Sequence, residues 1–456
     1  MKNYFLLLSA IVFNLNALTQ TISGGGSFSF AICNDNTVQA WGYNDEGELG
    51  NGTNTNSNVP VPVSLLTGIT SISAGGGHTL ALKNDGTVWA WGYNYDGELG
   101  TGNNADSNIP IQASSLTDIT SISAGSNHSI ALKNDGTVWT WGWNLDGSLG
   151  NGTTTNGYIP AQISNFTNVI AIAAANTSSV ALKDDGTVWT WGSNSDGQLG
   201  NGTIYIPSYI PVQVSSLSDI MAIAGTGSHV LALKNDGTIW AWGDNENGTL
   251  GNGTNTDSSF PIQVSNLTNI TSISAGSNHS IALKNDGTVW TWGENSNGQL
   301  GNGINDDSNI PVQVSSLTNI SSIAAGYHYS LALKNDGTLW AFGTNYFGEL
   351  GNGTNENSNF PIQVTALCQV ATAAITEISE SLAISVYPNP SNGKFTINMA
   401  NNISQKINFS IYNVIGKLIL HQQNINEFDI SNSPKGIYFI IIADVNGTYR
   451  KKIIIE

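Results

Sequence analysis

Ile119-Thr-Ser-Ile-Ser-Ala-Gly125, His128-Ser-Ile-Ala-Leu132, Lys133-Asn-Asp-Gly136, Thr137-Val-Trp-Thr-Trp-Gly142 and Asn144-Leu-Asp-Gly-Ser-Leu-Gly150 follow one another between Pro110 and Pro160. Asn-Asp-Gly between two β-rich runs marks a hairpin, since Gly136 tolerates positive φ. Val138, Trp139 and Trp141 suit strands. The prolines punctuate the passage from one unit to the next. The stretch reads as four short strands, the fourth near 111–113. A unit this small cannot bury both faces of its sheet, so it has to stack on others like itself.

The chain supplies those others. Trp-Gly pairs begin at Trp41, Trp91, Trp141, Trp191, Trp242 and Trp292, and Phe342-Gly343 makes a seventh, at spacings of 50, 50, 50, 51, 50 and 50. A fixed period of this length is the mark of a repeat architecture. Twelve of the thirteen tryptophans fall in two repeat columns: the Trp-Gly column, and Trp89, Trp139, Trp189, Trp240, Trp290 and Trp340, with Gln39 in the first unit. Residues two apart on a strand share a face. Both columns are therefore expected to fill the space between blades.

The pattern Ala-Gly-x-x-His, Ala-Leu-Lys-Asn-Asp-Gly-Thr-Val-Trp-x-Trp-Gly-x-Asn-x-x-Gly-x-Leu-Gly resembles the regulator of chromosome condensation (RCC1) repeat. The resemblance covers about 21–375 and implies a seven-bladed β-propeller, within the usual range of blade numbers. RCC1-like relatives act as protein-interaction platforms. Their nuclear roles do not carry over, because this chain opens with an export segment and its propeller is acidic.

Only Cys33 and Cys368 are present. Aligned units place Cys33 in the column of Lys83 and Cys368 in the column of Thr67, either side of the Gly75-Gly76 turn. Segment 370–374 is thus expected to pair with 27–32 of blade one, and a Cys33–Cys368 disulfide to lock the seam. Two unrelated thiols are the alternative, and Thr21-Ile-Ser-Gly24 competes for the same strand position.

The period ends near Ala374. A linker at 376–385 leads to Val386-Tyr-Pro-Asn-Pro390 and Gly393-Lys-Phe-Thr-Ile397, then to Phe409-Ser-Ile-Tyr-Asn413, Gly416-Lys-Leu-Ile-Leu420, Pro434-Lys-Gly-Ile-Tyr-Phe-Ile440 and a basic tail. Alternating apolar runs separated by turns suggest a small β-sandwich at 386–456. These motifs resemble the type A sorting domain of type IX secretion, which implies passage through the outer membrane and contact with that machinery. At the other end, Lys2, the apolar run from Phe5 to Phe13 and the small residues Ala17 and Thr19 read as a signal peptide over 1–20. That run is too short for a bilayer, and no later segment reaches about 18 apolar residues, so no membrane span is expected.

The net charge is −18, and the repeat region alone, with six lysines against 26 acids, carries −20. Such a surface repels phosphate backbones and excludes nucleic acid as a partner. Nucleophile elbows, zinc-protease motifs, phosphate loops and Cys-x-x-Cys pairs are absent. His78, His128, His229 and His279 occupy one column, with His328 one place earlier; separate blades hold them apart, so they read as structural rather than metal-binding. Asp45, Glu46, Glu48, Asp96, Glu98, Asp146, Asp196, Asp244 and Glu246 recur in loops and read as solvated turn residues. No cofactor is expected.

The residues outside the pattern say more. After Trp-Gly stand Tyr43, Tyr93 and Trp143, but Ser193, Asp244, Glu294 and Thr344 in the later units. Tyr95, Tyr346 and Phe347 join them. Consecutive blades would put an acid-flanked aromatic patch on one arc of one rim, where Tyr and Trp anchor protein contacts; ordinary loop variety is the alternative. The reading is an all-β, exported, monomeric interaction scaffold that binds a protein or glycan. A glycan-active or lyase-type enzyme and a passive adhesive protein are the competing readings.

Overall fold

The computed structural model describes residues 21–368, 384–399, 408–413, 418–423, 427–444 and 447–456. The expected signal peptide lies outside them, as does 376–383 of the expected linker, whereas Ile384 and Ser385 belong to the strand Ile384–Tyr387. Every regular element among the described residues is a strand. Contacts divide the chain into two units, 1–369 and 370–456.

The first unit is seven four-stranded antiparallel sheets, each built from one contiguous stretch. Blade three is typical: Ile119–Ala124, His128–Lys133, Val138–Gly142 and Gly157–Gln162, ordered from hub to periphery. Its hairpin is made by its own side chains. Asp135 Oδ1 accepts from the Thr137 amide at 3.0 Å and from the Thr137 hydroxyl at 2.6 Å, while Gly136 stands at φ +78°. The same Asp–Thr bond recurs in the other six blades. The innermost strands touch their neighbours all round, with Thr21–Gly24 against both Ile69–Ala74 and Ile320–Ala325, so the ring is closed with seven blades. Each apolar cluster joins two blades. Leu80, Leu82, Val88 and Ala90 of blade two, for instance, pack on Ala131 and Trp141 of blade three.

Two expectations need correction. The fourth strand, expected near 111–113, spans Ser107–Gln112, beginning four residues earlier, and belongs to the blade before it, pairing with Val88–Gly92. It starts earlier because Ser107 faces Gly92 across a bulge, and Pro110 is tolerated because this strand is the outer edge. At the seam, Thr21–Gly24 pairs with Phe28–Ile32, Thr21 facing Ile32 and Gly24 facing Ser29. The inner edge expected to receive 370–374 is therefore filled, and that segment lies outside the described residues. A hairpin over a short local turn closes with far less loop entropy than a pairing from the far end of the repeats.

The disulfide nevertheless forms. Cys33 and Cys368 are bonded, with Cα atoms 5.4 Å apart. Gln39, the exception in the second tryptophan column, accepts the Cys368 amide at Oε1, 2.9 Å away. The first unit thus exchanges a tryptophan for the group that receives the end of the ring.

In the second unit a three-stranded sheet (Ile384–Tyr387, Lys394–Met399, Glu427–Asp429) and a four-stranded sheet (Leu418–Gln423, Asn408–Asn413, Gly436–Asp444, Gly447–Ile455) share one core of Val386, Phe395, Phe409, Phe428, Ile440 and Ile453. Asn389 of the Tyr-Pro-Asn-Pro motif ties its loop to the last strand, accepting the Ile454 amide and donating to the Lys452 carbonyl, both at 2.8 Å.

Candidate binding site on the loop rim

Strand direction alternates within each blade, so the turns after first strands and the long loops after third strands share one rim. Those loops are held by a column of buried asparagines that the sequence reading passed over. Asn144 donates from Nδ2 to the carbonyls of Thr153 and Thr155 at 3.0 Å, and its Oδ1 accepts the Leu149 amide at 2.9 Å. Asn44, Asn94, Asn194, Asn245, Asn295 and Asn345 repeat the acceptor bond. The signal was available in the invariant Asn three places after each Trp-Gly tryptophan. Each loop is pinned again by the next blade: Trp91 Nε1 donates to the Glu48 carbonyl and Trp141 Nε1 to the Glu98 carbonyl, both at 2.7 Å. A rim built this way presents its side chains from a rigid frame.

On it four of the six singled-out aromatics form two pairs rather than one sheet of rings. Tyr43 of blade one meets Phe347 of blade seven edge to face, centroids 4.9 Å apart. Tyr93 stacks on Tyr95 within blade two at 6.4 Å. Trp143 and Tyr346 stack on no other ring among the described residues. Tyr95 and Tyr346 are 65% and 62% exposed, Leu145 62% and Phe347 37%, whereas Tyr43, Tyr93 and Trp143 are half-buried. Burial, with Asp45 and Glu48 beside it, pushes the Tyr43 hydroxyl up to about 12.

The reading of the loop acids as solvated fails for Glu48 and Glu98. Both are fully buried, as is Glu349 at the equivalent place in blade seven. Each carboxylate folds back on its own loop: Glu48 Oε2 accepts the Glu46 amide and Glu98 Oε2 the Asp96 amide at 3.0 Å, and Glu349 Oε2 the Phe347 amide at 2.9 Å. The neighbouring blade then covers them. Burial pushes the Glu48 and Glu98 carboxyls up to about 7 and raises that of Glu349. The four later blades place Ser148, Gln198, Thr249 and Gln299 in this column. Three buried carboxyls thus lie on the same consecutive blades as the two ring pairs.

The turns around the hub are tied to one another on this rim. Backbone bonds link the turns between blades, as from the Gly76 amide to the Gly125 carbonyl at 3.0 Å and from the Tyr327 amide to the Gly25 carbonyl at 3.1 Å. Tyr327, from blade seven, reaches across to hydrogen-bond the Ser126 hydroxyl of blade three. Gly76 makes room for it, since a Cβ there would lie 2.9 Å from the Tyr327 hydroxyl.

The histidine column is fully buried and bridges blades. His78, His128, His229 and His279 each place Nε2 2.9 Å from a serine hydroxyl of the next blade, Ser129, Ser179, Ser280 and Ser330. Burial holds His128 and His229 down at about 4 and His78 and His279 at about 3. At the seam Tyr329 takes this role: its hydroxyl donates to the Phe28 carbonyl at 2.6 Å and lies 3.0 Å from Ser29 Oγ. His328, on the rim, sits 3.2 Å from Glu294 and holds that carboxyl down at about 2. Among the described residues no group of histidine, cysteine or carboxylate side chains is arranged to hold a metal ion, and no helix is long and apolar enough to cross a membrane.

Comparison with known proteins follows the same division of the chain. The family model of the RCC1-like domain matches 158–386, half of the chain. RCC1-repeat models match 35–82 and 85–132, and also 20–48, 69–98 and 119–148. The model of the secretion system C-terminal sorting domain matches 385–456. None of the curated proteins compared with the chain matches it. Among solved structures, human WBSCR16 is 27% identical, with a TM-score of 0.66 over 72% of this chain and 94% of that one. The structure of Kap60 bound to yeast RCC1 (Prp20) matches at 23% identity and 0.66, over 77% and 85%. Prp20p from Saccharomyces cerevisiae, described with its binding to Gsp1p and histones, matches at 24% and 0.65, over 73% and 86%.

Proposed function

The chain belongs to the RCC1-like family, and from that premise we propose that it is an exported scaffold that binds a protein or glycan partner through the loop rim over blades seven, one, two and three. Its sorting domain directs export through type IX secretion to the cell surface or the medium, and RCC1-like propellers are a family of interaction scaffolds. The observation that carries the reading is the pairing of Tyr43 with Phe347 and of Tyr93 with Tyr95 on adjacent blades, beside Trp143 and the exposed Tyr346. Rigid, partly exposed Tyr and Trp side chains give contact area at small entropic cost. The Asn-anchored loops beneath them are already ordered, so binding need not order them. Solved propellers of the same fold come with protein partners in their descriptions, which favours a protein over a glycan.

The test is capture from the producing cell's surface and medium by the full secreted chain, compared with Tyr93→Ala and Trp143→Ala forms. We expect each substitution to weaken binding at least about tenfold, as loss of an aromatic anchor does. Undiminished binding by both would favour a passive adhesive role. Binding to a glycan array that the same substitutions abolish would move the partner to that class.

A further inference from the structure

Charge is divided between the two rims of the propeller in a way the total conceals. All six lysines of the ring (Lys83, Lys133, Lys183, Lys234, Lys284 and Lys334) end a second strand, beside the Asn-Asp-Gly or Asp-Asp-Gly turn. They share that rim with ten acids. Their cationic heads are also engaged: Lys83 lies over Trp89 and 3.8 Å from Asp85, and Lys133 is 3.9 Å from Asp118. The opposite rim, made by loops 43–56, 93–106, 143–156, 193–207, 244–257, 294–307 and 344–357, holds the remaining sixteen acids and no lysine or arginine. His328 is committed to Glu294 there.

Blades three and four contribute one acid each to this rim, blades five and six three each, and blades seven, one and two eight together, so the acid-rich arc runs from blade five round to blade two. The aromatic arc and the acid-rich arc therefore overlap on blades seven, one and two. In the overlap the loop of blade one abuts blade two, with Asn108 Nδ2 bonded to Asn54 Oδ1 at 2.7 Å. Glu349, which accepts the Phe347 amide, is only 1% exposed, and its Oε1 has no hydrogen-bond partner among the described residues. A guanidinium or ammonium group pairs with the accessible carboxylates of this arc and also packs on aromatic faces.

We propose that the loop rim over blades seven, one and two docks a basic protein segment, its arginine or lysine side chains seated among Tyr43, Phe347 and Tyr93 and the carboxylates of Asp45, Glu46 and Asp106. This rests on the binding role proposed above and names the chemistry of the partner. Burial raises the Glu46 carboxyl, and the like charges of Asp106 and Asp45 add to the shift; a cation relieves that added repulsion. The lysine rim differs on both counts: its ten acids are set against six lysines, and five of its tryptophans already lie under lysine ammonium groups.

The test uses the full secreted chain and octa-arginine as probe. Binding is expected to weaken at least about tenfold between about 0.05 and 0.2 M salt, as for electrostatic association. Neutralising the loop rim (Asp45→Asn, Glu46→Gln, Asp106→Asn) is expected to weaken it by at least about tenfold, and neutralising the other rim (Asp85→Asn, Asp135→Asn, Asp236→Asn) by less than about twofold. Lysines at 45 and 106 (Asp45→Lys, Asp106→Lys) should instead gain binding to octaglutamate, which an unfolded variant would not do. Equal losses from the two rims would reduce the effect to general acidity and overturn the proposal, as would calcium, a neutral glycan or spermine displacing octa-arginine at equal occupancy. If Tyr93→Ala and Trp143→Ala abolish capture of the native partner while the neutralised loop rim captures it normally, the binding role stands and the basic partner falls. If neither set matters, both fall.

Discussion

Trp141 and Trp139 lie two residues apart on one strand, yet their environments differ. Trp141 is fully buried and its indole donates to the Glu98 carbonyl of the neighbouring blade. Trp139 is half-buried at the lysine rim, 3.4 Å from the Thr137 hydroxyl. Trp141→Ala is expected to cost about 3–5 kcal/mol in denaturant unfolding, and Trp139→Ala about half of that, because cavity and transfer terms scale with what is buried. Glu48 gives a pH-dependent counterpart. Its folded-state carboxyl titrates at about 7, above the ordinary value near 4.3. The folded chain therefore holds that proton more tightly than the unfolded one, and the stability this gives is complete below about pH 4.3 and lost as pH rises through about 7. Glu48→Gln, uncharged throughout, should raise Tm by about 2–4 °C at pH 8 and by little at pH 4.5, read by calorimetry. The repeat columns were legible for the tryptophans because both recur. The burial of Glu48 was not, because its own loop looks polar and the cover comes from the next blade.

At the level of strands and their junctions, hairpins were readable and seams were not. Asn-Asp-Gly fixes its turn with residues two apart, so local sequence suffices. The inner edge of Phe28–Ile32 had two candidate partners, and only the geometry of the closed ring gives it to Thr21–Gly24. The histidine–serine bridges are likewise invisible until two blades meet. Ser179→Ala should cost about 1–3 kcal/mol, because it leaves His128 Nε2 buried without its partner. Adding His128→Phe and placing threonine at 179, which copies the Phe28 and Thr79 pair between blades one and two, should recover most of that loss; a double-mutant cycle reads the coupling. The column also sets an acid limit. With His128 held at about 4 in the fold and near 6.5 when unfolded, the unfolded chain takes up the proton first. Stability from this column is thus full above about pH 6.5 and falls as pH drops toward 4, a trend that urea midpoints across this range will show. That slope is opposite in sign to the one from Glu48.

For the propeller as a whole, the bond between Cys33 and Cys368 spans a sequence separation of 335 residues. On chain-entropy grounds it contributes roughly 5–6 kcal/mol, so a Cys33→Ser, Cys368→Ser form should unfold at correspondingly lower denaturant. Its existence was legible from two alignment columns, while the strand pairing inferred alongside it was not. The bond also makes nearly the entire propeller a covalent circle. Outside the cell, a protease that severs any one peptide link between these cysteines opens the circle without detaching anything, and the product weighs one water more than the parent. Two cuts are needed to shed a fragment. Limited digestion should therefore show an almost unchanged mass until a reductant is added, when a single-nicked molecule falls into pieces.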